Sequence, residues 1–123
     1  SFQEELKQLI EVICGDMRVT QTISDIAIPI SYQSELKAIA TELLRNAKVH
    51  SGASHIEVLL KGVENRTYLE VSDNGVGGAQ VNTSRLGSLG RLGLVGVKER
   101  VEQLNGELEI ISSENGTCAK VIL

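Results

Sequence analysis

Two periods run through the pattern of apolar and polar positions along the chain. Segments in which apolar residues recur every three or four positions are typical of amphipathic helices, and these are residues 2–14, 34–51 and 94–104. Segments in which apolar and β-branched residues alternate with polar ones, or form short runs, are typical of strands, and these are residues 17–23, 26–30, 55–60, 67–72, 107–112 and 117–123. The pattern predicts helices and strands in comparable amounts.

Several residues mark where these elements end. Pro29 cannot donate to a strand ladder, so it demotes the segment 26–30 to an edge strand or a strand end. Residues 31–34 offer serine side chains that could cap the central helix. Gly52 provides the left-handed turn of a helix C-cap, and Asn105 with Gly106 does the same for the last helix.

The order of the elements predicts the fold class. Strands and helices do not alternate strictly, which argues against a doubly wound parallel sheet. We expect an α+β, two-layer sandwich in which three main helices pack on one face of a mixed, mostly antiparallel sheet. At 123 residues the chain is expected to form one domain with its own core.

Composition narrows the class of function. The formal net charge of −4 and the pI near 5.2 argue against general nucleic-acid binding, which needs a basic face. Cys14 and Cys118 lie far apart in apolar patterns, so we expect free thiols and infer a reducing, cytosolic environment. No apolar run is long enough to cross a bilayer, so any membrane attachment is expected outside residues 1–123.

The central helix has a polar margin beside its apolar stripe. The stripe consists of Leu36, Ile39, Ala40, Leu43, Leu44 and Ala47. Glu42, Asn46 and His50 follow at intervals of four residues along its edge. Glu and Asn at a helix margin are commonly just solvated surface, and a lone His is as often a packed or capping residue as a ligand.

Two further motifs follow the central helix. Asp73, Gly75 and Gly77 come directly after the predicted strand 67–72, and a glycine cluster opens the last helix. The cluster consists of Gly87, Gly90, Gly93 and Gly96. An Asp-Asn-Gly turn alone is common, and glycines at a helix entry can serve close packing. The three motifs in this order are far more specific than any one of them.

With these motifs the chain resembles the ATP-binding catalytic domain of two-component sensor histidine kinases. That domain belongs to the Bergerat-fold (GHKL) ATPase superfamily, with gyrase, the mismatch-repair ATPases and the ninety-kilodalton heat-shock chaperones. The resemblance is strong from residue 34 to residue 123 and loose before it. The sequences of residues 42–47, 50–54 and 93–101 look most like the nitrate and cell-envelope-stress sensors.

The resemblance implies roles for these residues. Asp73, with Gly75 and Gly77, is expected to bind the adenine amine of ATP, and Asn46 is expected to bind Mg²⁺. Glu42 is expected to order water near the metal or act as a base that assists phosphoryl transfer. The other residues that match nucleotide-binding positions of the family are His50, Gly90, Gly93, Leu94, Gly96 and Thr117.

The chain departs from the family at one position of the first motif. A Lys or Arg usually precedes the histidine, whereas here Val49 stands there and Lys48 comes one residue earlier. Because a helix turns by about 100° per residue, Lys48 is expected to point away from the edge that carries Asn46. The departure predicts weaker phosphate binding. The Gly-x-Gly-Thr that commonly opens the last strand is also reduced, to residues 115–117.

The implied function is that of the ATP-binding domain of a larger, membrane-anchored sensor kinase that acts in the cytosol. Its partners would be ATP, Mg²⁺, the phosphoacceptor histidine of a dimerising helical domain, and a response regulator. Neither histidine here has the context of such a helical pair, so we expect a monomeric domain that cannot phosphorylate itself. The polar segment 79–92 is expected to form a lid that nucleotide orders.

Other functions share these motifs. An anti-sigma-factor serine kinase carries all three and acts on a separate protein. Val49 keeps one more alternative open, namely a scaffold that has the fold but has lost nucleotide binding. A chaperone-like or gyrase-like hydrolase is disfavoured, because those ATPases bring a lysine from a following domain.

Overall fold

The computed structural model describes residues 1–50, 52–75 and 94–123. These residues contain three α-helices and a five-stranded sheet. The helices are α1 (Phe2–Cys14), α2 (Ile30–Arg45), which continues as a π-helical segment (Asn46–His50), and α3 (Leu94–Gln103). The strands are β1 (Arg18–Ile23), β2 (His55–Val63), β3 (Arg66–Asp73), β4 (Glu107–Ser113) and β5 (Gly116–Ile122).

The sheet is mixed and mostly antiparallel, as predicted. Its strand order is β1-β2-β3-β5-β4, and β1 runs parallel to β2 while every other neighbouring pair is antiparallel. Val58 lies opposite Val71 and Leu60 opposite Leu69, so these buried side chains share one face of the sheet. The three helices bury their apolar stripes in the same core, which confirms the two-layer α+β sandwich.

Residues with positive φ end several elements where the sequence predicts. Glu64 and Asn65 have φ values of 51° and 66°, as in a two-residue type I′ hairpin turn between β2 and β3. After α3, Asn105 has φ 59°, and the N–H of Gly106 donates to the carbonyl of Val101. This bond closes a Schellman-type C-cap. Gly52 has φ 69°, in line with its predicted left-handed turn.

The predicted strand 26–30 is wrong. The chain there is irregular, and the side chain of Gln3 in α1 donates from Nε2 to the carbonyl of Ile26 at 2.6 Å. A helix side chain thus satisfies a backbone group that a neighbouring strand would otherwise pair. α2 begins at Ile30, directly after Pro29 at the N-cap, where φ is −52° and no side chain makes a capping hydrogen bond. The serine cap expected from residues 31–34 is therefore also wrong.

The buried stripe of the central helix is confirmed. All six of its predicted apolar residues belong to the core, from Leu36 to Ala47. Both cysteines are free thiols, with Cys14 buried in the core and Cys118 half-buried on the opposite face of the sheet. Within the described ranges, no helix combines the length and the apolar character that a membrane crossing requires.

Candidate functional site

Asp73 ends β3 on the helix-facing side of the sheet. In the register of the sheet it lies opposite Ile56 of β2 and Thr117 of β5. The backbone N–H of Gly75 donates to its Oδ1 at 2.9 Å, and the backbone N–H of Thr117 also donates to the carboxylate. Burial raises the pKa of Asp73 above the ordinary value of 3.8, while these two hydrogen bonds partly oppose the shift. The structure therefore holds a partly desolvated carboxylate in a fixed orientation.

Asn74 ties the end of β3 to the start of β2, a role that the sequence analysis missed. Its Oδ1 accepts from the backbone N–H groups of Ser54 and His55, each at 3.0 Å. Its Nδ2 donates to Ser54 Oγ, also at 3.0 Å. An Asn at a turn is the signal that could have suggested it, since such side chains commonly bond nearby backbone groups. The partners lie about twenty residues away in sequence, so local spacing does not identify them.

The turn between β4 and β5 closes on the backbone of Asp73. Gly116 has φ 139°, in a region that residues with a Cβ rarely adopt. A Cβ placed on Gly116 would lie 1.9 Å from the carbonyl oxygen of Asp73. Only glycine lets the two backbones come this close. This contact brings Thr117, the next residue, beside the carboxylate.

The polar margin of the central helix changes its geometry at Asn46. Glu42 lies on the last turn of α2, half-exposed, with Oε1 3.9 Å from Nη1 of Arg45. Asn46 opens the π-helical segment, whose residues turn less per position than those of an α-helix. Positions 46 and 50 keep their spacing of four residues, but the angle between them about the helix axis differs from that in an α-helix. Single π-turns within α-helices occur frequently at functional sites.

The amide of Asn46 is incompletely paired. Its Nδ2 is buried and has no hydrogen-bond partner among the described residues. Buried amide groups are usually satisfied, so an unpaired one commonly marks a position where a ligand or ion completes the set. The π-helical segment that Asn46 opens contacts β3, the strand that ends in Asp73. His50 belongs to the same segment, but its side chain lies outside the described structure.

Lys48 serves the end of another helix. A Cβ placed on Gly15, the C-cap of α1, would lie 3.8 Å from Lys48 Nζ. α1 has no basic residue in its last turn, so this ammonium complements the partial negative charge of the helix end. It also opposes the effect of burial, which raises the pKa of the neighbouring Cys14 thiol. Val49 is 67% exposed and places an apolar side chain in solvent.

The glycine-rich entry of the last helix is described only from Leu94 onwards. Leu94 begins α3 and is buried in the core. Among the residues that the structure describes, a Cβ on Gly96 would meet nothing within 4 Å, so close packing against them, one of the two roles considered for this glycine, does not apply to it. The predictions for Gly77, Gly90 and Gly93, and for the lid 79–92, lie outside the described residues.

The family is shown by comparison with known proteins. Residues 31–123 match the family model "Histidine kinase-, DNA gyrase B-, and HSP90-like ATPase". The chain therefore belongs to this ATPase family, as its resemblance to the superfamily predicted. It is similar to the sensor histidine kinase ComP of Bacillus subtilis, with 38% identity over 72% of the chain and 11% of ComP. It is also similar to the histidine-protein kinase/phosphatase DegS of Brevibacillus brevis, with 33% identity over 76% of the chain and 23% of DegS.

Solved structures share the fold at lower identity. The blue-light activated histidine kinase of Erythrobacter litoralis superposes with a TM-score of 0.78 at 20% identity, over 99% of this chain and 41% of that one. The catalytic domain of the histidine kinase ThkA gives a TM-score of 0.72 at 16% identity, over 99% of this chain and 88% of that one. These structures show the fold, and the family match with the curated relatives shows that the chain is an ATP-binding domain of the sensor histidine kinase type. It spans less than a quarter of either curated relative named above.

Proposed function

We propose that this chain binds ATP together with Mg²⁺ and supplies the γ-phosphate to a histidine on a dimerising helical domain of a sensor kinase. The observation that supports it most is the partly buried, doubly hydrogen-bonded carboxylate of Asp73, on a strand that contacts the π-helical segment opened by Asn46. In this proposal the phosphorylated histidine passes the group to a response regulator. The chain is then one part of a larger cytosolic kinase and does not phosphorylate itself.

Asp73 is the proposed adenine ligand. An ionised carboxylate is an acceptor only, so it selects the exocyclic amine of adenine over the carbonyl that guanine carries at the same ring position. The backbone N–H of Gly75 and that of Thr117 hold it in one orientation, which reduces the entropy lost on binding. The main-chain turn at Gly75, itself buried, lies against the base in this arrangement.

Asn46 and Glu42 are the proposed residues on the phosphate side. Mg²⁺ prefers oxygen ligands, and the carbonyl oxygen of the Asn46 amide is such a ligand. The two ends of an amide side chain are assigned by their hydrogen bonds, so the unpaired Asn46 amide is free to turn its oxygen toward an ion. Bound Mg²⁺ would neutralise phosphate charge. Glu42, one helical turn earlier, would orient water or accept a proton.

Phosphoryl transfer tests this function. The chain is mixed with ATP, Mg²⁺ and a separately produced helical domain from a related sensor kinase, and acid-labile phosphate on that domain is measured. We expect phosphate on histidine only when both proteins are present. ATP binding without transfer to any histidine domain, together with transfer to a serine of another protein, would favour the anti-sigma-factor kinase. If the chain binds no ATP at all, the remaining alternative is a scaffold that has lost nucleotide binding.

Replacing Asn46 with Ala should remove the effect of magnesium on ATP binding, whereas Asn46→Asp keeps an oxygen ligand and should preserve it. Asn46 is only partly buried, so the fold should survive either change. Titration calorimetry with and without Mg²⁺ measures the effect, and circular dichroism checks the fold. Arg45→Ala, one residue earlier on the exposed side, is the control and should keep the magnesium dependence. If Asn46→Ala also keeps it, the ligand lies elsewhere.

Replacing Val49 with Arg should strengthen ATP binding modestly. The new guanidinium would extend from the π-helical segment that carries Asn46, but Val49 is 67% exposed, so water and salt screen the contact. We expect a gain of about 0.5 to 1 kcal/mol, as for exposed ion pairs. The gain should be larger for ATP than for adenosine and should shrink as salt is added.

Val12→Arg is the matched control for this gain. Val12 is 80% exposed on α1, so the same cation there adds the same net charge at a different surface. An equal gain in the Val12 variant would show that net charge alone attracts the nucleotide. An equal gain for adenosine would show that the Val49 side chain acts through packing.

A further inference from the structure

Three polar side chains form a row across the end of the sheet, beside the proposed adenine site. Asp73 of β3 lies opposite Thr117 of β5, and Thr117 lies opposite Ser112 of β4. All three share the helix-facing side with the buried residues Val71 and Ala119, since side chains on one face alternate along each strand. Ser112 belongs to none of the three sequence motifs.

Ser112 bonds directly to the hydroxyl of Thr117. The two oxygens, Ser112 Oγ and Thr117 Oγ1, are 2.7 Å apart, the usual length of a hydroxyl-hydroxyl hydrogen bond, and the pair is partly buried. Each hydroxyl has one proton to donate and two lone pairs that can accept. Either oxygen can be the donor, and the choice decides what Thr117 offers to a neighbouring group.

The hydrogen-bonding groups on the edge of adenine decide which of the two hydroxyls is the donor. That edge presents the exocyclic amine, a donor, next to the ring nitrogen N1, an acceptor. If Asp73 accepts from the amine, the neighbouring group must donate to N1, directly or through one water. Thr117 stands beside Asp73 in the register and can donate to N1 only if its bond to Ser112 uses a lone pair of Thr117.

We propose that Ser112 is a positioning residue that donates to Thr117 and thereby turns the Thr117 proton toward N1 of the adenine. This role rests on the proposed binding of ATP at Asp73. The row then reads the adenine edge with two complementary groups, an acceptor at Asp73 and a donor at Thr117. Guanine mismatches both, because it presents a carbonyl and a protonated N1 at these places.

Binding of an analogue separates this role from a structural one. The nucleotide 1-deaza-ATP keeps the amine and has carbon in place of N1, so it cannot accept from Thr117. We expect Ser112→Ala to weaken binding of ATP about fivefold, the factor that one net hydrogen bond contributes, and to leave binding of 1-deaza-ATP unchanged. Thr117→Val should show the same contrast, and adding Ser112→Ala to it should have no further effect.

Matched variants decide between the remaining outcomes. Ser72→Ala lies on the neighbouring strand with its side chain on the opposite face, and should bind both nucleotides like the wild-type chain. Equal weakening of both nucleotides by Ser112→Ala would show a structural role and overturn the proposal. Unchanged ATP binding in Ser112→Ala, with binding lost in Asp73→Asn, would also overturn it and leave the proposed function standing. A wild-type chain that does not bind ATP overturns both.

Discussion

Asp73→Asn is expected to weaken ATP binding by about 1 to 3 kcal/mol, or about 5-fold to 150-fold. The change keeps the shape of the side chain and replaces one carboxylate oxygen with an NH₂ group. That group then faces either a backbone N–H, from Gly75 or Thr117, or the amine of adenine, and all of these are donors. One donor in a partly buried site is left unpaired. Titration calorimetry with ATP measures the loss.

The control for this variant is Asp16→Asn, which removes the same charge at an exposed position next to the end of α1. It should bind ATP like the wild-type chain. GTP should remain a poor ligand of the wild-type chain, because guanine carries a carbonyl at the ring position where adenine carries the amine. Unchanged ATP affinity in Asp73→Asn would remove this residue from the site, and equal weakening in both variants would point to net charge.

The raised pKa of Asp73 determines how fold stability and ATP binding each change with pH. Because burial disfavours the ionised form in the folded chain, the proton is held to a higher pH than in an ordinary aspartate, whose pKa is 3.8. This group therefore favours the folded state below that value, and the contribution is lost as the pH rises through the folded-state pKa. ATP binding changes with pH in the opposite direction, because it needs the ionised carboxylate. Acidification should weaken it at a higher pH than an unperturbed aspartate would, and Asp73→Asn should lack this step.

The elements that the sequence predicts well are those specified by local patterns. α1 is stabilised by its own period of apolar residues, and the β2–β3 hairpin by alternation on both sides of Glu64 and Asn65. The segment 26–30 looks like a strand by composition, but the carbonyl of Ile26 accepts from Gln3, more than twenty residues away. A local pattern contains no information about such a partner, so the prediction failed there.

In the candidate site too, residues in local motifs could be predicted, whereas residues with distant partners could not. Asp73 and Asn46 could be identified because their spacing to glycines and to the apolar stripe is local. The π-turn at Asn46, the bonds from Asn74 to the start of β2, and the hydroxyl pair of Ser112 and Thr117 depend on how distant strands and helices meet. Residues whose chemistry suits ligand binding can therefore be recognised in the sequence. The residues that hold them in position can be recognised only in the folded structure.

Gly116→Ala is expected to destabilise the fold by about 3 kcal/mol or more. The new methyl group would lie 1.9 Å from the carbonyl oxygen of Asp73, and φ 139° is a region that alanine rarely adopts. Backbone strain of this kind costs about 1 to 3 kcal/mol, and overpacking costs about as much again. Because the clash involves backbone atoms, no side chain can move aside to relieve it. Denaturant unfolding of the nucleotide-free chain measures the loss.

Relief of this clash must separate the β4–β5 turn from the end of β3, and Thr117 then loses its place beside the carboxylate. ATP binding should therefore fall even at temperatures where Gly116→Ala remains folded. Gly96→Ala is the control, since it adds the same methyl group to a helix at a place where no described part of the chain lies within 4 Å. It should raise stability by about 0.5 to 1 kcal/mol, the difference between alanine and glycine inside a helix. Equal stability of the Gly116 variant and the wild-type chain would show that the turn does not press against Asp73.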